Sequence, residues 1–257
     1  MSEKAKLIDL SKCTGCRGCQ LACKQWNQQP ARQTTNTGSY QNPPDLQWNT
    51  WTLVRFQEVV TKDQGLKWLF RKDGCMHCTD AACVKVCPSG ALSYSGIGSV
   101  DLNNDLCIGC KECVSACPFS VPRYDAETDR IYKCTLCTDR IKADLPPACV
   151  RACPTGTLQF GDRDKMQKIA YQRAKELGGD ASVYGDKFVD GTHVIYVLPE
   201  KVDIYERLPE HPSVPLSIIV WKDLLKPLSL LAAGGVLAGS FLHYIIHGPK
   251  TPDEDNQ

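Results

Sequence analysis

Cys107-Ile-Gly-Cys110-Lys-Glu-Cys113-Val-Ser-Ala-Cys117-Pro118 decides how this chain is read. Three thiols recur at every third residue, a fourth follows after three more residues, and a proline closes the run. Such spacing brings three thiolates round one iron–sulfur cube, and Gly109 lets backbone N–H groups approach sulfur. The proline turn carries the fourth thiol toward a second cube. Three more versions of this run occur, and we number all four I to IV by position, the stretch above being run III. Run I, Cys13, Cys16, Cys19 and Cys23, keeps the spacing but ends in Lys24 instead of proline. Run II, Cys75, Cys78, Cys83 and Cys87-Pro88, has a wider middle gap. Run IV, Cys134, Cys137, Cys149 and Cys153-Pro154, has a wider gap still, filled around Asp144-Leu-Pro-Pro147.

The spacing is that of bacterial dicluster ferredoxins. Sixteen cysteines in 257 residues divide evenly into four sites of four thiolates. With the fourth cysteine of each run crossing to its paired site, the expected ligand sets follow. The first [4Fe–4S] cluster takes Cys13, Cys16, Cys19 and Cys153, and the second takes Cys23, Cys134, Cys137 and Cys149. The third takes Cys75, Cys78, Cys83 and Cys117, and the fourth takes Cys87, Cys107, Cys110 and Cys113. Four clusters ligated wholly by protein leave no open position for a substrate. The sequence contains no G-x-S-x-G, no P-loop and no Gly-rich dinucleotide motif. Serial one-electron transfer, without bond chemistry in this chain, is the expected function. Two bland readings compete, a disulfide framework and structural zinc. Triplets of thiols crowded round one point suit a metal better than separate bridges, and four runs in series, three ending in Cys-Pro, disfavour zinc.

The formal net charge of +1 points to neither nucleic acid nor an acidic partner. Four 2− sites would carry the loaded protein to about −7. Lys12, Arg17, Lys24, Lys72, Lys111 and Lys133 lie beside or near cysteines. They are either a solvated surface or partial compensation of cluster charge.

An internal repeat organises the chain. Cys87-Pro-Ser-Gly-Ala-Leu-Ser-Tyr94 resembles Cys153-Pro-Thr-Gly-Thr-Leu-Gln-Phe160, and Ile8-Asp9-Leu10 resembles Val100-Asp101-Leu102. Each unit reads as a short strand, a ligand loop, a proline turn and another strand. The fold class expected is α+β: two pseudo-symmetric dicluster ferredoxin-like folds, one inserted in the other, plus a C-terminal single transmembrane helix. Residues 1–71 form the first half of the outer fold, 72–126 the inserted fold, 127–215 the rest of the outer fold, and 216–257 an anchor and tail. Within the insertion at 24–74, the first half reads as an irregular polar loop. The second half reads as a hairpin of Trp51–Val60 and Leu66–Phe70 turning at Lys62-Asp-Gln-Gly65. Trp26, Trp48, Trp51 and Trp68 are expected to pack over a cluster. His77, inside the first C-x2-C of run II, is not expected to be a ligand, because four thiols are already present. Asp162–Leu177 reads as a helix capped by Asp162 and stopped at Gly178-Gly179, Thr192–Leu198 as a strand with a structural His193, and Pro199–Pro215 as a linker.

Pro227 to His247 contains no Asp, Glu, Lys or Arg. As a helix these residues span about 31 Å, the thickness of a bilayer core. Gly235-x3-Gly239 lies in a small-residue face, from which a second transmembrane helix packed against this one is expected. His243 and His247 stand one turn apart and read as interfacial rather than haem-ligating. The N-terminal residues show no apolar export core and no twin-arginine signal, so export would depend on a partner.

The chain resembles the iron–sulfur (beta) subunits of membrane-bound respiratory formate dehydrogenases. The cysteine runs alone indicate the broader class of four-cluster subunits. Carrying the resemblance further are Ala5-Lys-Leu-Ile-Asp9, Trp68–Cys78, Tyr132-Lys-Cys-Thr-Leu-Cys137, Gly191-Thr-His-Val-Ile-Tyr-Val-Leu198, and Trp221 through Lys226-Pro227 to His243-Tyr244. The resemblance implies an anaerobic respiratory complex in which a molybdenum or tungsten bis-pterin alpha subunit oxidises formate. It implies that this chain passes electrons to a gamma subunit, a membrane cytochrome b with haem b that reduces quinone. It further implies an inner-membrane location, with the head on the periplasmic side and Thr251–Gln257 in the cytoplasm. The positive-inside rule points the other way, since Lys222 and Lys226 precede the span and Lys250 follows beside Asp253-Glu-Asp255. A folded, co-exported head is not sorted by short-loop charge, so the orientation rests on the resemblance. The alternative within the same class is the equivalent subunit of a polysulfide or DMSO reductase or of a hydrogenase.

Overall fold

The computed structural model describes residues 2–61 and 65–248, with residues 61 and 221–223 described by their backbone alone. The chain divides into two compact units, with the boundary in sequence between Val214 and Pro215.

Among the described residues, the unit ending at Val214 contains ten strands: β1 Lys4–Asp9, β2 Thr52–Thr61, β3 Gly65–Gly74, β4 Leu92–Tyr94, β5 Val100–Leu102, β6 Arg123–Asp125, β7 Arg130–Tyr132, β8 Leu158–Asp162, β9 Ser182–Tyr184 and β10 Val194–Leu198. Four of them form one sheet in the order β8-β1-β10-β9. β1 and β10 pair in parallel, Lys6 against Val194, and β8 runs antiparallel to β1, Ile8 against Leu158. Because side chains alternate along a strand, the two faces of β1 go to different cores. Ala5 and Leu7 pack with Ile195, Val197, Met166 and Ala170. Ile8 goes the other way, with Val194, Tyr196, Leu198, Cys19 and Cys149. Both central strands are therefore covered on both faces, and β10, Val-Ile-Tyr-Val-Leu, reads as a continuous apolar run.

The helix over the first face is Arg163–Leu177. Asp162 stands at its N-cap but makes no capping hydrogen bond. Its carboxylate instead accepts from Ser2 Oγ at 2.5 Å and from Lys4 Nζ at 2.6 Å, because β8 brings it beside the start of β1. Gly178, at φ 65°, returns its N–H to Ala174 and ends the helix.

β2 and β3 form an antiparallel ladder from Thr52↔Gly74 outward. β3 is longer than the alternation suggested, running through buried Arg71, Lys72 and Asp73 up to Cys75. Of the turn expected at residues 62–65, residues 62–64 lie outside the described residues, and Gly65 opens β3. Residues 28–46 contain no helix or strand. Trp26, Trp48, Trp51 and Trp68 differ from the expected core packing: none of the four is buried. Trp48 and Trp51 lie against Tyr132, and Trp68 joins an aromatic group with Tyr40, Phe56 and Phe70. Trp26 donates to Asp139 under the guanidinium of Arg140. Trp51 Nε1 donates to Trp48 O at 2.6 Å, and indole N–H groups that need partners suit the rim better than the core.

Two short antiparallel pairs, β4–β5 and β6–β7, link successive cysteine runs. The segment from Pro199 to Val214 has only a short turn at Val202–Ile204, and its Tyr205 and Leu208 join the main core.

The second unit contains a short helix, Leu216–Ile219, a π-helical turn, Val220–Leu225, and the helix Lys226–His247. Pro227 has no N–H to return to the preceding turn, a known cause of such local unwinding. The long helix is long and apolar enough to cross a membrane. Thr251–Gln257 lie outside the described residues.

Candidate metal centres

Runs I and III are built alike, from the residues upward. β1 ends at Asp9, whose carboxylate accepts from Ser11 N–H at 3.1 Å and shapes the turn Leu10–Lys12. After β5, Asn103 accepts from Asp105 N–H at 3.0 Å and shapes the turn Asn104–Leu106. Each turn delivers the first cysteine. Gly15 and Gly109 then enter the left-handed region at φ 67° and 66°, as do Arg17 and Lys111 at 59° and 64°. Short helices follow, Gly18–Trp26 carrying Cys19 and Cys23, and Glu112–Ala116 carrying Cys113.

Runs II and IV turn the same corner without glycine. His77 and Leu136, third in their C-x-x-C segments like Gly15 and Gly109, sit at φ 50° and 58°. A left-handed leucine is a conformational outlier. The corner turns the N–H of its third residue back onto the first sulfur: Leu136 N–H donates to Cys134 Sγ at 3.4 Å. Gly15 N–H acts likewise on Cys13, and His77 N–H on Cys75. At the proline turns the fourth cysteines are served the same way. Burial opposes the charge of Cys87, but Leu92, Ser89 and Ala91 outweigh it and hold its thiol below the usual range. Cys153 is lowered likewise, burial being outweighed by Leu158, Thr155 and Thr157. Donors aimed at sulfur favour thiolate.

The thiols fall into four electrostatic neighbourhoods. Cys13 is pushed up by burial and by Cys153 and Cys16. Cys23 is pushed up by burial and by Cys134, Cys149 and Cys137. Cys78 is pushed up by burial and by Cys75, Cys117 and Cys83. Burial and the charges of Cys110, Cys87 and Cys107 raise Cys113 to about 12. These last four thiols also line one cavity, together with Leu92, Leu102, Ile108 and Ile131. Links between neighbourhoods are visible as well. Cys149 acts on Cys19, Cys134 on Cys75, and Cys113 on Cys83.

All sixteen thiols are free. Cys16 and Cys110 are exposed, whereas Cys23, Cys134, Cys137 and Cys149 are all buried. Among the described residues, no three His, Cys, Asp or Glu side chains close on a single-ion site. A cube is held at its corners, so its thiolates stand farther apart than the ligands of one ion. An all-thiol donor set, left-handed corners and N–H groups turned onto sulfur suit [4Fe–4S] clusters.

Lysines act on the same thiols. Burial opposes the charge of Lys72, and Cys149, Cys19 and Cys134 outweigh it, so its ammonium is held above the usual range. Cys134 is raised by burial, yet Lys6, Lys72, Leu136 N–H and Lys133 bring it below the ordinary thiol value. Sequence reading singled out Lys72 and Lys133 but missed Lys6, whose only signal is a lysine at an inward position of β1. His77 is fully buried, and its Nδ1 accepts Val100 N–H at 3.0 Å, which makes it a support for β5. His193 has Nδ1 2.9 Å from His77 O and Nε2 3.2 Å from the Glu3 carboxylate, a structural position. His243 and His247 stack at 4.2 Å.

Comparison with known proteins agrees with this chemistry. Residues 66–163 and 12–91 each match a 4Fe-4S dicluster domain family, and residues 214–257 match the family described as formate dehydrogenase N, transmembrane. The chain is 45% identical to the formate dehydrogenase iron-sulfur subunit of Haemophilus influenzae, over 98% of this chain and 83% of that protein. It is 45% identical to the formate dehydrogenase-O iron-sulfur subunit of Escherichia coli K12, over 98% of this chain and 86% of that one. The nitrate-inducible formate dehydrogenase iron-sulfur subunit of the same organism is 44% identical, over 100% of this chain and 89% of its own length. Two dicluster ferredoxin-like folds, a membrane-anchoring helix and kinship along nearly the whole length place this chain in the family of formate dehydrogenase iron–sulfur subunits, whose role is electron transfer.

Proposed function

We propose that this chain is the non-catalytic electron-transfer subunit of a membrane-bound formate dehydrogenase. Electrons enter from a molybdenum or tungsten bis-pterin catalytic subunit and leave to a membrane cytochrome b that reduces quinone. Four [4Fe–4S] clusters, held by the thiol sets given above, supply reversible one-electron exchange. The polypeptide holds them in file, keeps water from the inner ones and aims N–H groups at their ligands.

The observation that carries this reading is the pattern of exposure along the file. The links Cys19–Cys149, Cys75–Cys134 and Cys83–Cys113 support a file that runs first, second, third, fourth. The exposed thiols, Cys16 and Cys110, belong to the sites at the two ends. A relay needs access at its ends and insulation between them. The domain division at residues 72, 127 and 216 belongs to the same proposal, as does an inner-membrane anchor with the head on the periplasmic side.

Gentle anaerobic purification from membranes, with partner identification and a formate-to-quinone assay, tests the reading. About sixteen iron and sixteen acid-labile sulfide per chain are expected. A complex that holds this chain but does not oxidise formate rejects the assignment.

A further inference from the structure

Lys6, Lys72 and Lys133 are the most buried cations among the described residues, at 1%, 3% and 1% exposure. The next two, Arg71 and Arg55, both pair with Asp73. Among the described residues no carboxylate pairs with any of the three lysines. Lys72 donates to Thr52 Oγ1 at 3.1 Å, and Lys133 to Cys134 O at 3.1 Å and to Val100 O. Neutral acceptors do not offset a buried ammonium, and an unpaired buried charge is strongly destabilising. An anion is required in this part of the core. His77 needs an acceptor of its own. Val100 N–H occupies its Nδ1, so the ring proton is on Nε2, which is buried and has no partner.

The placement of the lysines follows a rule. Lys6 is on β1, which leads into run I, and Lys72 is on β3, which leads into run II. Lys133 follows β7 and precedes run IV. β5, which leads into run III, is Val100-Asp101-Leu102 and carries no lysine. Run III supplies three of the four thiols proposed for the fourth site. Lys6 shares its face of β1 with Ile8, which packs with Cys19 and Cys149, of the first and second sites. Lys133 donates to the carbonyl of Cys134, of the second site, and Lys72 lies on β3 three residues before Cys75, of the third.

We propose that Lys6, Lys72 and Lys133 are fixed countercharges lying between the first three cluster sites, which raise the reduction potentials there relative to the fourth. The inference rests on the cluster reading above. Each reduction adds one electron and one negative charge to a site. A buried cation beside it stabilises the reduced state more than the oxidised one, and burial spares that attraction from screening by water.

The test uses the complete complex, purified anaerobically, with Lys6→Met, Lys72→Met and Lys133→Met in this chain. Iron and sulfide are counted, and the four clusters are titrated by electron paramagnetic resonance at controlled potential. In each variant at least one cluster is expected to lose tenfold or more in its reduced-to-oxidised ratio at fixed potential, 59 mV for one electron. At least one of the four is expected not to move. Lys12→Met removes a solvent-exposed charge beside Cys13 and is expected to move none. Should a Met variant lose clusters, the matching Lys→Arg variant decides. Retention of iron and potentials by Arg supports a charge role, and loss in both overturns it. Unmoved potentials in fully loaded Met variants overturn the proposal, as does an equal shift of all four clusters. A wild-type complex without iron would instead reject the cluster reading itself.

Discussion

Runs I and III turn their corners on Gly15 and Gly109, whereas runs II and IV turn the same corners on His77 and Leu136. The backbone shape is shared and the residue type is not. Around Gly109 the reason for glycine is steric. A Cβ there would fall 2.3 Å from Asp129 Oδ1 and 2.6 Å from its carbonyl oxygen. Around His77 and Leu136 the side chain is needed in the core, and burial holds a left-handed conformation that costs about 1–2 kcal/mol. The ligand loop is thus set by sulfur geometry, while the corner residue answers to its neighbours.

The sharpest way to break this comparison is Gly109→Val. A β-branched residue at φ 66° meets both strain and the Asp129 backbone. The variant is expected to lose one cluster, with iron falling from about sixteen to about twelve per chain. Full iron content would show that this corner does not require glycine.

Leu136 is 1% exposed, so Leu136→Ala is expected to cost about 2–5 kcal/mol. Leu136→Gly relieves the corner and is expected to be less destabilising than Leu136→Ala, the reverse of the usual order. Thermal loss of cluster absorbance in the two variants, measured side by side, checks the ranking. His77→Gly should show the same inversion against His77→Ala on a smaller scale. Both variants strand the Val100 N–H, at about 1–3 kcal/mol, and only the first relieves the corner.

The smallest effect lies away from the corners. Asp45 is paired with Arg55, Arg123 and Arg207, tying the insertion to β2, to β6 and to the segment before the anchor. Burial opposes its charge, but hydrogen bonds from Arg55 and Arg207 hold its carboxyl at about 2, below the usual 3.8. A depressed folded value means stability that is present above pH 3.8 and is lost as pH falls through about 2. Partial exposure limits this to about 1 kcal/mol. Asp45→Asn is expected to remove that amount at neutral pH and to flatten the acid limb of a stability–pH profile. An unchanged acid limb would assign acid sensitivity to other groups.

Much of this was readable from the residues. Cysteine spacing revealed the four ligand loops, because a cube's first three ligands lie within one short turn. The helix after β8 followed from Met166, Ala170 and Ala174 on one face, and the apolar tail from its lack of charge. The capping role assigned to Asp162 did not hold, since β8 brings Lys4 and Ser2 closer than the helix N–H groups. Core burial of Trp26, Trp48, Trp51 and Trp68 did not hold either, since aromatic patterning does not tell rim from core. Lys6 could not be recognised because its neighbours in sequence, Ala5 and Leu7, face the helix, while Lys6 takes the other face of the strand.

By itself the sequence determined the chemistry, four thiol loops and an apolar tail, since ligand spacing and hydrophobic length are properties of short stretches of chain. Only the tertiary structure decided which charges stand between those loops and which thiols reach solvent. Strand pairing between residues far apart in the chain sets which face of β1 is turned inward, and no local pattern carries that information.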